Sequence, residues 1–165
     1  DGTPGSWASV IGFEQVGGFG ILMEGGTWRL ETRAGGGYHT AIDPATPWKD
    51  EWIHMVGVWN PEDGQAYFYV NGEFKGAIDA AGDFGFPNGS RENWFIGIGG
   101  DYTGSMSDYQ EAAIQGDIAV VRIYNEAVNG SQVRMLYNNM MKENTGAAEH
   151  VEGEGEGDPV TEVVI

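Results

Sequence analysis

The stretch WIHMVGVWNPEDGQAYFYVNG, residues 52–72, decides the fold class. It holds two alternating runs rich in aromatic and β-branched residues, joined by Pro61-Glu62-Asp63-Gly64 and closed by Asn71-Gly72. A period of two sends successive side chains to opposite faces of a pleated strand, and Asn-Gly suits a tight antiparallel turn. In the second run Ala66, Phe68 and Val70 share one face while Tyr67 and Tyr69 take the other. A strand apolar on both faces is expected at a central position of two stacked sheets.

Working outward, strands are predicted at residues 7–14, 18–23, 27–33, 38–42, 51–59, 65–70, 73–78, 94–99 and 115–124. Gly25-Gly26, Gly35-Gly36-Gly37, Pro61 to Gly64 and Asn71-Gly72 supply turns between them. Trp94, Ile96 and Ile98 point together, and Trp52, Trp59 and Trp94 are expected in the core. One helix is predicted near residue 131, with Ser131 as its cap and Val133, Leu136 and Tyr137 as an apolar stripe. The fold class is therefore all-β, a two-sheet antiparallel sandwich with one short C-terminal helix, over residues 1–142. Residues 143–165 change character. Glu152 to Asp158 alternates acid with glycine and has no means of burying a core, so it is read as a linker. Pro159 to Ile165, PVTEVVI, regains strand patterning and is expected to begin another domain or to add a strand to a neighbour.

Composition bounds the function. The 165 residues suit one domain with a two-layer core. A net charge of −17 argues against nucleic acid and anionic membranes as partners, since both need basic patches. It suits a secreted or surface protein, a saline setting or a calcium binder. The sequence holds no cysteine, which removes thiolate catalysis, thiolate metal sites and disulfides. No apolar run is long enough to insert as a helix in a bilayer, and Asp1 does not open a signal-peptide pattern; the expectation is a processed chain or a piece of a larger one.

The ordered pieces WIHMVGVW at 52–59, YFYVNGE at 67–73, FIGIG at 95–99 and GDIAVVRIYNEAV at 116–128, followed by the SQVRMLY helix, resemble the laminin-G-like branch of the concanavalin A-like jelly rolls. The resemblance covers residues 7–139. It implies a jelly-roll sandwich serving as an extracellular or cell-surface module that binds a glycan or a protein, often beside secreted hydrolases such as calcineurin-like phosphoesterases. The chain departs from the family pattern at Ala119, where an acidic residue is common. The family also carries opening strands ahead of the matched region, so the expectation is that a longer chain, or neighbouring subunits or domains, supplies strands to cover exposed edges.

Glycoside hydrolysis needs two carboxylates facing one bond, and no predicted strand carries acids at i, i+2 or i+4. Glu62-Asp63 falls in a turn. His39, His54 and His150 lack zinc-ligand spacing, and His54 reads as a sheet residue rather than a base. No G-x-S-x-G elbow supports a serine nucleophile. The chain is therefore read as non-catalytic. Calcium is the candidate cofactor: the segment DYTGSMSDYQE, residues 101–111, offers Asp101, Asp108 and Glu111 with loop carbonyls, against the alternative of a solvated acidic loop. For ligand binding, Trp48, Tyr102 and Tyr109 are the loop aromatics placed to stack on a sugar. Asn88-Gly-Ser and Asn129-Gly-Ser fit the glycosylation acceptor pattern. The leading function is recognition or adhesion within a larger protein; a surface filament built by strand exchange and an accessory domain of a secreted hydrolase are the alternatives.

Overall fold

The computed structural model describes residues 7–12, 18–24, 26–33, 37–43, 51–82, 95–97, 114 and 116–144. Strands β1 (Trp7–Gly12), β2 (Phe19–Glu24), β3 (Thr27–Thr32) and β4 (His39–Ile42) are followed by β5 (Met55–Asn60), β6 (Gln65–Val70) and β7 (Glu73–Asp79). β8 (Phe95–Ile96) and helix α1 (Gly130–Asn144) complete the described elements. Every strand pairing is antiparallel. One sheet has the order β4-β3-β2-β1-β8 and the other β5-β6-β7. The chain is thus a two-sheet sandwich, as its alternation requires.

The inner faces meet in a single cluster. Ile11, Ile21, Trp28, Leu30 and Ala41 come from the first sheet, and Met55, Ala66, Phe68 and Val70 from the second. The alternation read in residues 65–70 holds, with Ala66, Phe68 and Val70 wholly buried. Burying a Phe or Val side chain contributes about 1.5–3 kcal/mol, so this row anchors the second sheet. The layers approach closely at Gly57, where an added Cβ would lie 2.6 Å from Leu30 Cδ1. A bulge between Ser9 and Ile11 lets both Val10 and Ile11 enter the core.

Turn chemistry sets the registers. Asn71 and Gly72 have φ of 52° and 74°, the pair of positive values that a two-residue type I′ hairpin needs. This pairs Val70 with Glu73 and Tyr69 with Phe74. Gly64 closes the β5–β6 turn at φ 69°, its N–H donating to the Asn60 carbonyl at 3.0 Å.

Three expectations need correction. β5 starts at Met55, because β6 offers no ladder partner beyond the Asn71 turn; Trp52 consequently lies outside the strand, 60% exposed, and is not core. Among the described residues, 116–124 form no strand despite their pattern. Ile114, Ile118 and Val121 pack on the core cluster, so side-chain burial is met without a ladder. The helix cap is Asn129 rather than Ser131. Asn129 Oδ1 accepts from the N–H groups of Ser131 and Gln132, while Gln132 Oε1 accepts from the Asn129 N–H at 2.8 Å, a reciprocal capping box. Trp94 and Ile98 lie outside the described residues, and Ile96 is exposed.

Candidate functional site

The outer face of the β5-β6-β7 sheet carries the exposed aromatic surface. Its registers place side chains in three rows running across the strands: Val56, Tyr69 and Phe74; Val58, Tyr67 and Ala77; Asn60, Gln65 and Asp79. The β5 half is covered. Val56, Val58 and Tyr69 are buried together with Val133 of α1, and Gly130 at the start of that helix packs against the Tyr69 ring. The β7 half stays open, with Phe74 57% exposed and Ala77 exposed beside it.

Three rings form a connected group that runs from the covered half to the open one: Tyr69 is buried, Tyr67 half-buried and Phe74 exposed. Tyr69 meets Phe74 edge-on at 5.7 Å between centroids, and Tyr67 lies 6.5 Å from Phe74 at a 54° tilt. Edge and tilted arrangements are the favoured aromatic geometries and hold the rings in place. Ala77, opposite Tyr67 in the register, adds only a methyl group on the β7 side of this surface.

The polar row is organised by Asp63 in the β5–β6 turn. Its Oδ2 accepts from the Tyr67 hydroxyl at 2.6 Å and from Asn60 Nδ2 at 2.9 Å, and its Oδ1 accepts from the Gln65 N–H at 3.0 Å. The hydrogen bond to Asp63 holds the Tyr67 phenol above its ordinary value of 10.0, with desolvation adding to it. Tyr67 therefore stays protonated, donating to Asp63 and keeping an oxygen lone pair for a ligand hydroxyl. Burial raises the Tyr69 phenol as well. Asp63, held by three donors, is a turn organiser rather than an acid poised for catalysis.

The residues singled out from sequence fall elsewhere. Trp48, Tyr102 and Tyr109, and with them Asp101, Asp108 and Glu111, lie outside the described residues. Among the described residues no cluster of three or more His, Asp or Glu is grouped to hold a metal. Ala119 is exposed and brings no ligand oxygen on its side chain. His54 is buried before β5; its N–H donates to Asn71 Oδ1 at 3.0 Å, and its ring lies 5.8 Å from that of Tyr137. Phe74 went unnoticed in the sequence. The signal was present: a two-residue turn at Asn71-Gly72 by itself places Phe74 opposite Tyr69.

A two-layer antiparallel sandwich with an exposed aromatic side chain on one sheet places the chain in the class of lectin- and glucanase-like sandwiches. The chain matches the family model Laminin_G_3, the concanavalin A-like lectin/glucanases superfamily, over residues 1–134, and it belongs to that superfamily. Among solved structures it is similar to a 2.1 Å crystal structure of an S-layer domain-containing protein, residues 221–444, from Clostridium thermocellum ATCC 27405. Identity is 17% and the TM-score 0.40, over 72% of this chain and 55% of that one. The chain thus spans about half the length of that structure. No curated protein matches it.

Proposed function

We propose that this domain is a non-catalytic recognition module of an extracellular or cell-surface protein, and that its ligand is a carbohydrate. The carrying observation is the exposed Phe74 ring, backed by half-buried Tyr67, beside the polar row of Gln65 and Asp79. A pyranose is amphipathic in the same way: its axial C–H face stacks on aromatic rings while its equatorial hydroxyls seek hydrogen-bond partners at the rim. Ring pairs bring both a large apolar contact and fixed geometry. An exposed apolar patch rimmed by polar groups marks an interaction site.

Trp48, Tyr102 and Tyr109 belong to the same proposal as further stacking partners for a sugar. Calcium remains part of this proposal through Asp101, Asp108 and Glu111, whose carboxylates with loop carbonyls suit an oxygen-seeking ion. A glycan array read with and without calcium tests the reading. Selective binding of a glycan class, lost in Phe74→Ala, supports it; an array with no signal in either condition contradicts it. Calorimetry with calcium that shows neither heat nor a thermal shift removes the metal from the account.

A further inference from the structure

The two edges of the β5-β6-β7 sheet are built differently. On β7 the register shifts at Lys75, the extra residue of a bulge, whose ammonium lies 3.3 Å from Glu73 and 4.0 Å from wholly buried Asp43. A bulge and an inward-turned charge close an edge to further strands. β5 has neither. Its six residues, MVGVWN, hold no charged residue and no proline, and all six pair with β6 without a shift. Among the described residues β5 pairs with β6 alone.

The direction of its backbone groups follows from its bonds. The His54 carbonyl accepts from the Asn71 N–H and the Asn60 carbonyl from the Gly64 N–H, so residues 54 and 60 face β6. The ladder alternates, so Val56 and Val58 face β6 as well, and Gly57 directs its N–H and C=O to the open edge. There Gly57 borders a cleft of ≈ 710 Å³. Ile11, Phe19 and Ile21 of the other sheet form its apolar floor, and residues 122–128 its far wall. Four extended residues, at about 3.3 Å each, 4.8 Å from strand to strand and 10 Å between layers, take up roughly 630 Å³.

We propose that this cleft receives an extended segment of a partner protein, about four residues long, in which apolar residues alternate with basic ones. Main-chain bonds to Gly57 give affinity whatever the sequence, and the side chains give selectivity. Alternate side chains of an added strand turn to one face, so every second residue meets Ile11, Phe19 and Ile21 and is apolar. The others turn toward the rim, where the lining acids Glu62 and Glu126 are exposed. Arg122 of the far wall already has a partner in the chain. The rim is therefore complementary to Lys or Arg. A net charge of −17 steers basic segments toward it and repels acidic ones, a second copy of this chain included. The cleft is independent of the sugar-stacking surface at Phe74, which belongs to β7 at the other edge.

Amide hydrogen exchange on the full chain, with light scattering alongside, tests this with two probes, acetyl-Val-Lys-Val-Lys-amide and acetyl-Val-Glu-Val-Glu-amide. Gly57 is expected to exchange as an open amide in the free chain. At a basic-peptide concentration about ten times its Kd, mass action should slow it about elevenfold, while the Phe68 amide in the central strand is unchanged. The acidic peptide should bind roughly fivefold more weakly, and Glu62→Lys combined with Glu126→Lys should reverse that order. Both acids are exposed, and the Phe68 amide reports the folding of the variant separately. A Gly57 amide already protected in the free monomer, or protected only as chain concentration rises, overturns the proposal. So does a basic peptide that leaves Gly57 unslowed, or equal binding of both peptides by parent and variant.

Discussion

Glu31 faces away from the main core cluster on β3 yet is only 6% exposed, and burial raises its carboxyl above the ordinary 4.5, with Arg29 opposing the shift. The sign follows from linkage. The folded state holds a proton on Glu31 more tightly than the unfolded chain does. Stability from this group is fully present below pH 4.5 and is lost as pH rises through the raised folded value. Glu31→Gln, neutral throughout, should therefore be more stable than the parent at neutral pH, with the difference closing on acidification; urea titrations from pH 4 to 8 check it. A larger deficit at pH 7 in Glu31→Gln than at pH 4 would contradict the assignment. Gly57 makes a simpler case. A methyl group there meets Leu30, itself buried in the core, so Gly57→Ala should cost about 1–3 kcal/mol in denaturant midpoints. The close approach was not legible in the sequence, since nothing in residues 55–60 tells which residue of β3 lies across the sandwich.

Among elements, the β6–β7 hairpin was the most legible. Its turn type, register and two faces follow from Asn71-Gly72 and from alternation, all local in sequence. Gly72 also carries a nonlocal constraint, because an added Cβ would crowd Tyr137 of α1 at 3.1 Å. Gly72→Ala should lose about 1–2 kcal/mol from the left-handed backbone alone, and more from that contact. The cap of α1 was legible as a polar cluster but was placed two residues late: Asn129 and Gln132, not Ser131, make the reciprocal pair. Asn129→Ala should cost about 1 kcal/mol, read as a lower thermal midpoint. Residues 116–124 mark where local reading fails. Alternation reports that side chains are buried in turn, and Ile118 and Val121 do reach the core. Whether the backbone also gains a ladder depends on a neighbour that alternation does not specify.

At the scale of the whole molecule, the sandwich divides its surfaces by what covers them. α1 closes half of the outer face of the β5-β6-β7 sheet and leaves Phe74 and Ala77 open, with Tyr67 half-buried between. The fold class was readable because a two-layer core imposes period two on nearly every segment of the chain. The aromatic outer face was readable only in part: Tyr67 and Tyr69 could be placed on one side of β6, but their exposure depends on where the distant helix lands. Ala77→Arg fills the space beside the rings with a long charged side chain; it should abolish glycan binding with a stability change within about 0.5 kcal/mol. The most direct test is a nuclear magnetic resonance titration of the chain with the best oligosaccharide from the array. Shift changes centred on Tyr67, Phe74 and Ala77, and absent in Phe74→Ala, are the predicted result. Changes confined to the β4-β3-β2-β1-β8 sheet, or none with any glycan, would contradict it.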